Sequence, residues 1–246
     1  MSRSIKHPIG ISGVALGALA LTILSASMAS AEKPQPRKTI LITHFDPFGG
    51  APDNASKDAA EAAASLLSSE YDVKVLELPT VYDLAASVAL QKAQAIEELA
   101  AVVSVGEGSC EIKLETLGRN RDHAPGFPDN AGIARGEPGE PEKLKIEEEG
   151  PLSVNMPFPV RRAFHRIRWS AEESAMLSLS EDAGAFVCNN TAYRLARHFS
   201  QPGSSTPFTF VHVPNHGCPE RKKNARISGS VIAKLLREAL QLARIP

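Results

Sequence analysis

The chain has 246 residues, of which 43% are hydrophobic, and it carries 27 Lys and Arg against 28 Asp and Glu. This apolar fraction excludes a mainly disordered protein, and the near-zero net charge gives no electrostatic reason to expect nucleic-acid binding. Three cysteines are too few for a disulfide-dense scaffold. Because the number is odd, disulfides within the chain leave at least one cysteine unpaired, which is relevant if the protein is exported.

The first 31 residues have the pattern of an export signal. A basic start precedes an uncharged run over residues 9–28, and residues 29–31 (Ala-Ser-Ala) match the small-x-small cleavage pattern. An uncleaved membrane anchor is the alternative, because about 20 apolar residues can span a bilayer. The run is only weakly apolar, so we expect a cleaved signal over 1–31, no stable membrane anchor, and export to the periplasm or the medium. Residues 32–246 are expected to form a single domain.

Strands and helices alternate along the rest of the chain. Short β-branched or apolar runs predict strands, and apolar residues at helical spacing predict helices. In chain order the sequence predicts a strand at 39–43, a Gly/Pro loop at 45–53, a helix at 54–69, a strand at 71–78, a helix at 82–99 and a strand at 101–105. After a Gly- and Pro-rich irregular segment at 118–150, it predicts a helix at 159–168, a strand at 175–179, a helix at 186–199, a strand at 208–213 and a helix at 225–243. This alternation predicts a three-layer α/β sandwich with a mostly parallel central sheet.

Cys188 is the first candidate for catalysis. It follows a Gly-Ala entry and an apolar pair, and it precedes a helical stretch, so its thiol is expected in the first turn of a helix. A helix N-terminus stabilises an anion and therefore favours the thiolate, which is the nucleophilic form. The alternative is a buried structural cysteine.

His212 and Glu115 could supply the two other groups that a cysteine hydrolase needs. His212 lies near the C-terminal end of an apolar strand, where α/β proteins bind ligands, and it could deprotonate a thiol and then protonate a leaving amine. Glu115 follows the third predicted strand and could orient the imidazole and stabilise its cation. Taken singly, His212 is better explained as a core histidine and Glu115 as an exposed carboxylate. Spacing in the sequence does not bring the three groups together.

Six motifs stand in order along the chain. They are Phe45-Asp46-Pro47-Phe48-Gly49-Gly50 with Asn54 and Ser56, Ile112-x-x-Glu115-x-x-x-x-Asn120, Pro128-Asp129-Asn130-Ala131-Gly132, Gly150-Pro151, Gly184-Ala185-Phe186-Val187-Cys188-Asn189, and Phe210-Val211-His212-Val213-Pro214. Together these motifs resemble the pyroglutamyl peptidase I family, also called pyrrolidone-carboxylate peptidases. The resemblance extends over nearly all of residues 39–240.

The resemblance implies a cysteine exopeptidase on an α/β/α sandwich, which removes the N-terminal pyroglutamyl residue from peptides through a thioester. It implies that Cys188 is the nucleophile, that His212 is the general base and then acid, and that Glu115 is the orienting carboxylate. It also implies the residues that bind the substrate lactam: Phe45, Phe48, Asn54 and Val187. The partner is then a peptide with an N-terminal pyroglutamate, no cofactor or metal is implied, and a homo-oligomer is left open.

The chain departs from the family pattern near the expected pocket. Gly106-Glu107-Gly108 stands where members of the common bacterial type carry a Gly-Gly-Arg segment, and Asn190 replaces a more usual His. The loop after the histidine motif reads Asn215-His216-Gly217-Cys218. A catalytically weak or inactive relative that binds N-blocked peptides or lactams is therefore the alternative function.

The remaining cysteines allow three interpretations. His212, His216 and Cys218 could hold zinc, although no second ligand pair supports this, and the lack of a Cys-x-x-Cys motif disfavours a redox protein. Export exposes free thiols to oxidation, and the proposed nucleophile must stay free. We therefore predict a Cys110–Cys218 disulfide that braces the two variant loops, with two free thiols as the alternative.

Overall fold

The computed structural model describes residues 37–139 and 144–242, so the predicted export signal over 1–31 lies outside the described residues. The described strands are β1 (Thr39–Phe45), β2 (Asp72–Leu78), β3 (Leu99–Gly108), β4 (Ile112–Glu115), β5 (Leu117–Arg119), β6 (Ser153–Asn155), β7 (Leu177–Ser180) and β8 (Phe208–Pro214). The described helices are α1 (Ala55–Leu67), α2 (Leu84–Gln94), α3 (Val160–Arg166), α4 (Ala171–Met176), α5 (Val187–Phe199) and α6 (Arg221–Leu242).

The central sheet has six strands in the order β2-β1-β3-β8-β4-β7. The pairs β1–β2, β1–β3, β3–β8 and β4–β7 are parallel, and β4–β8 is antiparallel. Helix α1 packs against α6, and α2 packs against α5, which gives the two helix layers around the sheet. The predicted α/β class with a mostly parallel sheet is confirmed.

The core lies along the central strands. Every residue of β1 and of β8 is buried, as expected for strands covered by helices on both faces. The two helices of one layer approach closely at Gly229 in α6, where a Cβ atom would lie 2.5 Å from the Cβ of Ala62 in α1. The apolar strand sequences therefore place the sheet centrally, and its carboxyl edge becomes available for a site.

Several predicted boundaries were wrong. The helix predicted at 82–99 spans only Leu84–Gln94, because β3 already begins at Leu99, which pairs with Thr39 of β1. The short strand β4 was not predicted, because four residues of alternating character give a weak signal. Helix α4 was also not predicted, although Ser170 and Glu173 form a capping box, which is a sequence signature of a helix N-terminus.

The segment predicted as irregular, 118–150, contains little regular structure, but strand pairing and side-chain hydrogen bonds hold it in place. Its first residues belong to β5, which pairs antiparallel with β6. Asn120 organises the segment, since its side chain donates to the carbonyl oxygens of Glu147 and Gly150 and accepts from the Glu147 N–H. In the part of the chain that the structure describes, no helix combines the length and apolar character needed to cross a membrane.

Candidate active site

Cys188 is the second residue of α5, as its sequence context predicts. Gly184 adopts a φ of +85° just before the helix, and Phe186 occupies the N-cap position, where its side chain cannot accept a hydrogen bond. The N–H groups of the first helical turn therefore keep their hydrogen-bonding capacity beside the thiol. Because the positive end of the helix dipole also lies there, this position suits an anion.

Glu115 and His212 meet on the face of the sheet. Glu115 is the last residue of β4 and is fully buried, and Oε1 of its carboxylate lies 2.9 Å from Nδ1 of His212. In the antiparallel β4–β8 pair, Lys113 is opposite His212 and Glu115 is opposite Phe210. Glu115 and His212 are therefore diagonal neighbours on one face, close enough for their side chains to touch.

His212 also interacts with Cys188, which completes the three-residue arrangement. Burial alone lowers the His212 pKa, but hydrogen bonds with Cys188 and Glu115, together with their negative charges, raise it to about 9. Contacts with Cys188 and Glu115 therefore favour the imidazole as its cation. The structure brings together the three residues that sequence spacing alone left apart.

Two glycines of β3 make room for this arrangement. A Cβ atom at Gly106 would lie 2.9 Å from the Cys188 Sγ atom, and one at Gly108 would lie 3.1 Å from the His212 Cβ atom. Contacts this short force neighbouring atoms to shift, so larger residues at these positions would displace the thiol and the imidazole. In the sequence these glycines stand out only as part of a variant loop.

Asn189 holds the first turn of α5 in place. Its buried amide donates to the carbonyl oxygens of Arg119 and Arg121 and accepts from the Arg119 N–H. Nearby, β5 passes so close to α5 that a Cβ atom at Gly118 would lie 2.6 Å from the Tyr193 Cα atom. Asn189 is the last residue of the motif that contains Cys188, but no local pattern in the sequence reveals which backbone groups it binds.

Aromatic rings surround the start of α5. Phe48 packs on Phe186 with ring centroids 5.8 Å apart, and Tyr82 meets Phe186 edge-on at 5.4 Å. Phe45 is buried in the core, where its ring lies 6.3 Å from that of Phe210. Of the two phenylalanines predicted to bind the lactam, Phe48 is therefore the more accessible one. Phe186 and Tyr82 were not predicted to belong to this aromatic cluster.

The other two predicted substrate-binding residues have clear structural roles. Asn54 caps α1, since its side-chain oxygen accepts from the N–H and hydroxyl groups of Ser56 while its amide donates to the Asp46 carbonyl oxygen. Val187 is fully buried as the first residue of α5. Substrate contact by Asn54 and Val187 stays a prediction.

The variant loops are joined to each other. Cys110 and Cys218 form a disulfide with a Cα–Cα distance of 5.6 Å, which confirms the predicted pairing and leaves Cys188 as the free cysteine. The bond also removes Cys218 from the zinc ligands considered above. His216 instead donates its backbone N–H to the carboxylate of Glu107, 3.1 Å away.

A thiol on a helix N-terminus, paired with an imidazole that contacts a buried carboxylate, is the arrangement of a cysteine hydrolase on an α/β sheet. Comparison with known proteins narrows this class. The family model described as pyroglutamyl peptidase matches residues 38–242. The pyrrolidone-carboxylate peptidases of Bacillus thuringiensis and Bacillus cereus are each 30% identical to this chain over 210 residues, which cover 84% of the chain and 91% of each relative. The chain therefore belongs to the pyroglutamyl peptidase family.

Solved structures share the same fold. The crystal structure of pyroglutamyl peptidase I from Bacillus amyloliquefaciens has a TM-score of 0.62 and 24% identity, and it covers 85% of this chain and 96% of its own. A mutant pyrrolidone carboxyl peptidase from Pyrococcus furiosus has a TM-score of 0.66 and 21% identity, and it covers 83% of this chain and 99% of its own. The family resemblance drawn from the six motifs is confirmed.

Proposed function

We propose that this protein removes N-terminal pyroglutamyl residues from peptides by thiol catalysis. The observation that carries the proposal is the contact of His212 with both Cys188 and Glu115 at the start of α5. Membership of the pyroglutamyl peptidase family supports the substrate class. The pyroglutamyl ring is compact and uncharged, which suits contact with the apolar rings of Phe48 and Phe186 beside the start of α5.

In the proposed reaction, the Cys188 thiolate attacks the carbonyl carbon between the pyroglutamyl ring and the next residue. The negative oxygen that forms is stabilised by the N–H groups of the first turn of α5. The imidazolium of His212 gives its proton to the departing amine as the C–N bond breaks, which leaves a thioester on Cys188. Neutral His212 then takes a proton from water, which attacks the thioester, releases pyroglutamate and restores the thiolate.

Glu115 acts through His212 in this scheme. Its carboxylate accepts a hydrogen bond from the Nδ1–H group of His212, so the other ring nitrogen is directed towards the thiol. Burial keeps water away from the pair and strengthens their attraction. Cys188, His212 and Glu115 supply the side chains for this reaction, and none of its steps uses a cofactor.

Turnover of a chromogenic L-pyroglutamyl amide tests the proposal. We expect hydrolysis that thiol alkylation abolishes and that the Cys188→Ala variant lacks, with Cys110 and Cys218 already protected as a disulfide. Amine release by Cys188→Ala at the wild-type rate would refute the mechanism. Tight binding of the amide without turnover would instead identify the alternative, an inactive relative that binds lactams.

We also propose that residues 1–31 are a cleaved export signal and that the remaining domain acts in the periplasm or the medium. The Cys110–Cys218 disulfide supports this, because such cross-links persist in oxidising compartments. N-terminal sequencing of protein recovered from the periplasm or the medium is expected to begin at Glu32. Protein found only in the cytoplasm with residues 1–31 attached would contradict this proposal.

A further inference from the structure

Glu107 carries a buried carboxylate that the proposed reaction does not use. Its side chain is only 3% exposed, and it stands near the end of β3 between two glycines, Gly106 and Gly108. A buried charge is costly unless hydrogen bonds or an opposite charge compensate for it. The partners of this carboxylate therefore indicate what it does for the neighbouring site.

The two oxygens of Glu107 join three segments of the chain. Oε1 accepts hydrogen bonds from the N–H of Ala55, the first residue of α1, and from the N–H of His216, 3.1 Å away in the loop between β8 and α6. Oε2 lies 3.2 Å from Nδ1 of the His216 ring. The positive end of the α1 dipole also favours a negative charge here. Glu107 therefore ties the end of β3 to α1 and to the loop that follows His212.

The glycines on either side of Glu107 lie against the thiol and the imidazole. Successive residues of a strand face opposite sides of the sheet, so these glycines face away from the side that Glu107 occupies. A Cβ atom at Gly106 would lie 2.9 Å from the Cys188 Sγ atom. One at Gly108 would lie 3.1 Å from the His212 Cβ atom. The backbone on which the thiol and the imidazole rest is thus held by the carboxylate between the two glycines.

Two further links join the end of β3 to the loop between β8 and α6. The side-chain amide of Asn215 donates to the Gly108 carbonyl oxygen at 2.7 Å. The Cys110–Cys218 disulfide connects the same two segments slightly further along the chain. Neither of these two links includes α1, so Glu107 adds the start of this helix to the connection.

We propose that Glu107 is a positioning residue of the active site. Its carboxylate fixes Gly106 and Gly108 relative to α1 and the His216 loop, so that the Cys188 thiol and the imidazole keep the separation that proton transfer needs. Glu107 acts through the two glycines and does not touch the substrate. The inference rests on the proposed function and adds to it a residue on the opposite face of the sheet.

Glu107→Ala tests the inference, and Glu173→Ala is its matched control. Glu173 is also a buried carboxylate, and its bonds join α4 to α6 instead of reaching β3. It accepts hydrogen bonds from the Ser170 N–H, the Ser230 hydroxyl and the Lys234 ammonium group. Each substitution removes a buried carboxylate and leaves its donors unpaired, so both variants are expected to unfold at lower urea concentration than the wild type.

The catalytic constants separate positioning from a purely structural role. At a temperature where urea unfolding shows both variants to be folded, kcat for the pyroglutamyl amide is expected to fall by about 10- to 100-fold in Glu107→Ala, with KM little changed, because the reacting groups are misplaced. Glu173→Ala is expected to keep the wild-type kcat. Equal losses of kcat in the two variants, or a wild-type kcat in Glu107→Ala, would overturn the inference.

His216→Ala decides the question if Glu107→Ala does not fold. The His216 side chain is 39% exposed, so its removal leaves no cavity in the core, and the backbone N–H bond to Glu107 can remain. Loss of the ring contact with Oε2 is expected to lower kcat by about 3- to 10-fold. A wild-type kcat in this variant would overturn the inference.

Alkylation of Cys188 by iodoacetamide reports on the site without turnover. The thiolate is the reactive form, and a neighbouring imidazolium stabilises it, so the alkylation rate at pH 7 is expected to fall by about 10-fold in Glu107→Ala. Glu173→Ala is expected to keep the wild-type rate. If the wild type fails to hydrolyse the amide but this alkylation pattern is found, the proposed function fails and the inference stands. If the wild type hydrolyses the amide while Glu107→Ala keeps both the alkylation rate and kcat, the inference fails and the proposed function stands.

Discussion

Glu115→Gln is the most informative perturbation of the proposed site. The substitution keeps the size of the side chain that contacts His212 Nδ1 at 2.9 Å, but it removes the charge. Burial lowers the His212 pKa, and the contacts with Cys188 and Glu115 raise it from 6.5 to about 9. That rise corresponds to ~3 kcal/mol in favour of the imidazolium. Without the carboxylate, we expect the His212 pKa to fall by more than about one unit and kcat/KM to fall by about 10²- to 10⁴-fold.

The pH dependence gives the sign of the effect. The imidazolium protonates the leaving amine, so wild-type activity is expected to decline as pH rises through about 9, and the decline should begin at lower pH in Glu115→Gln. Because the folded-state pKa is raised, the contribution of this group to stability is complete below pH 6.5 and is lost as pH rises through about 9. Both the pH profile of kcat/KM and urea unfolding at several pH values measure this.

The control for this perturbation is Glu111→Gln. Glu111 is exposed and lies four positions before Glu115, so the substitution changes the net charge equally without touching His212. Its pH profile is expected to match that of the wild type. If Glu115→Gln also kept the wild-type profile and kcat/KM, the assignment of Glu115 as the residue that orients His212 would be wrong.

Three further substitutions test how the site is held. Gly106→Ala places a Cβ atom 2.9 Å from the Cys188 Sγ atom and is expected to reduce kcat/KM by more than about 100-fold. Urea unfolding is expected to show a stability loss of about 1–3 kcal/mol. Wild-type activity in this variant would contradict the close approach of β3 to the thiol. Asn189→Ala removes three hydrogen bonds to backbone groups and is expected to cost about 2–4 kcal/mol of unfolding free energy, so a loss near zero would refute its anchoring role. Replacing Cys110 and Cys218 together by Ser opens a link between positions 108 residues apart and should cost about 2–5 kcal/mol, and unchanged thermal unfolding would argue against the disulfide.

The main parts of the fold follow from local patterns. The apolar runs around β1 and β8 predict buried central strands, and the alternation with helices predicts the parallel sheet. Cys188 could be placed in the first turn of a helix because a Gly-Ala entry leads into a helical stretch. These predictions succeed because burial and helix starts leave signals within a few residues.

The tertiary arrangement of the site left no such signal. Strand β4 is four residues long, and its place between β8, to which it is antiparallel, and β7, to which it is parallel, depends on partners distant in sequence. That placement makes Glu115 a neighbour of His212. The bonds of Asn189 to backbone groups about 70 positions away are equally invisible to local patterns. Family motifs suggested the catalytic residues, and the structure supplied the contacts by which they would act.

The central claim is that Cys188 forms a thioester with the pyroglutamyl group. Mass spectrometry of protein quenched during reaction with an activated pyroglutamyl ester tests it most directly, because Cys188 is the free cysteine of the chain. We predict a single adduct with the mass of one pyroglutamyl group on the peptide that contains Cys188, which hydroxylamine removes. Turnover without this adduct in the wild type, or with an adduct on a different residue, would contradict the claim.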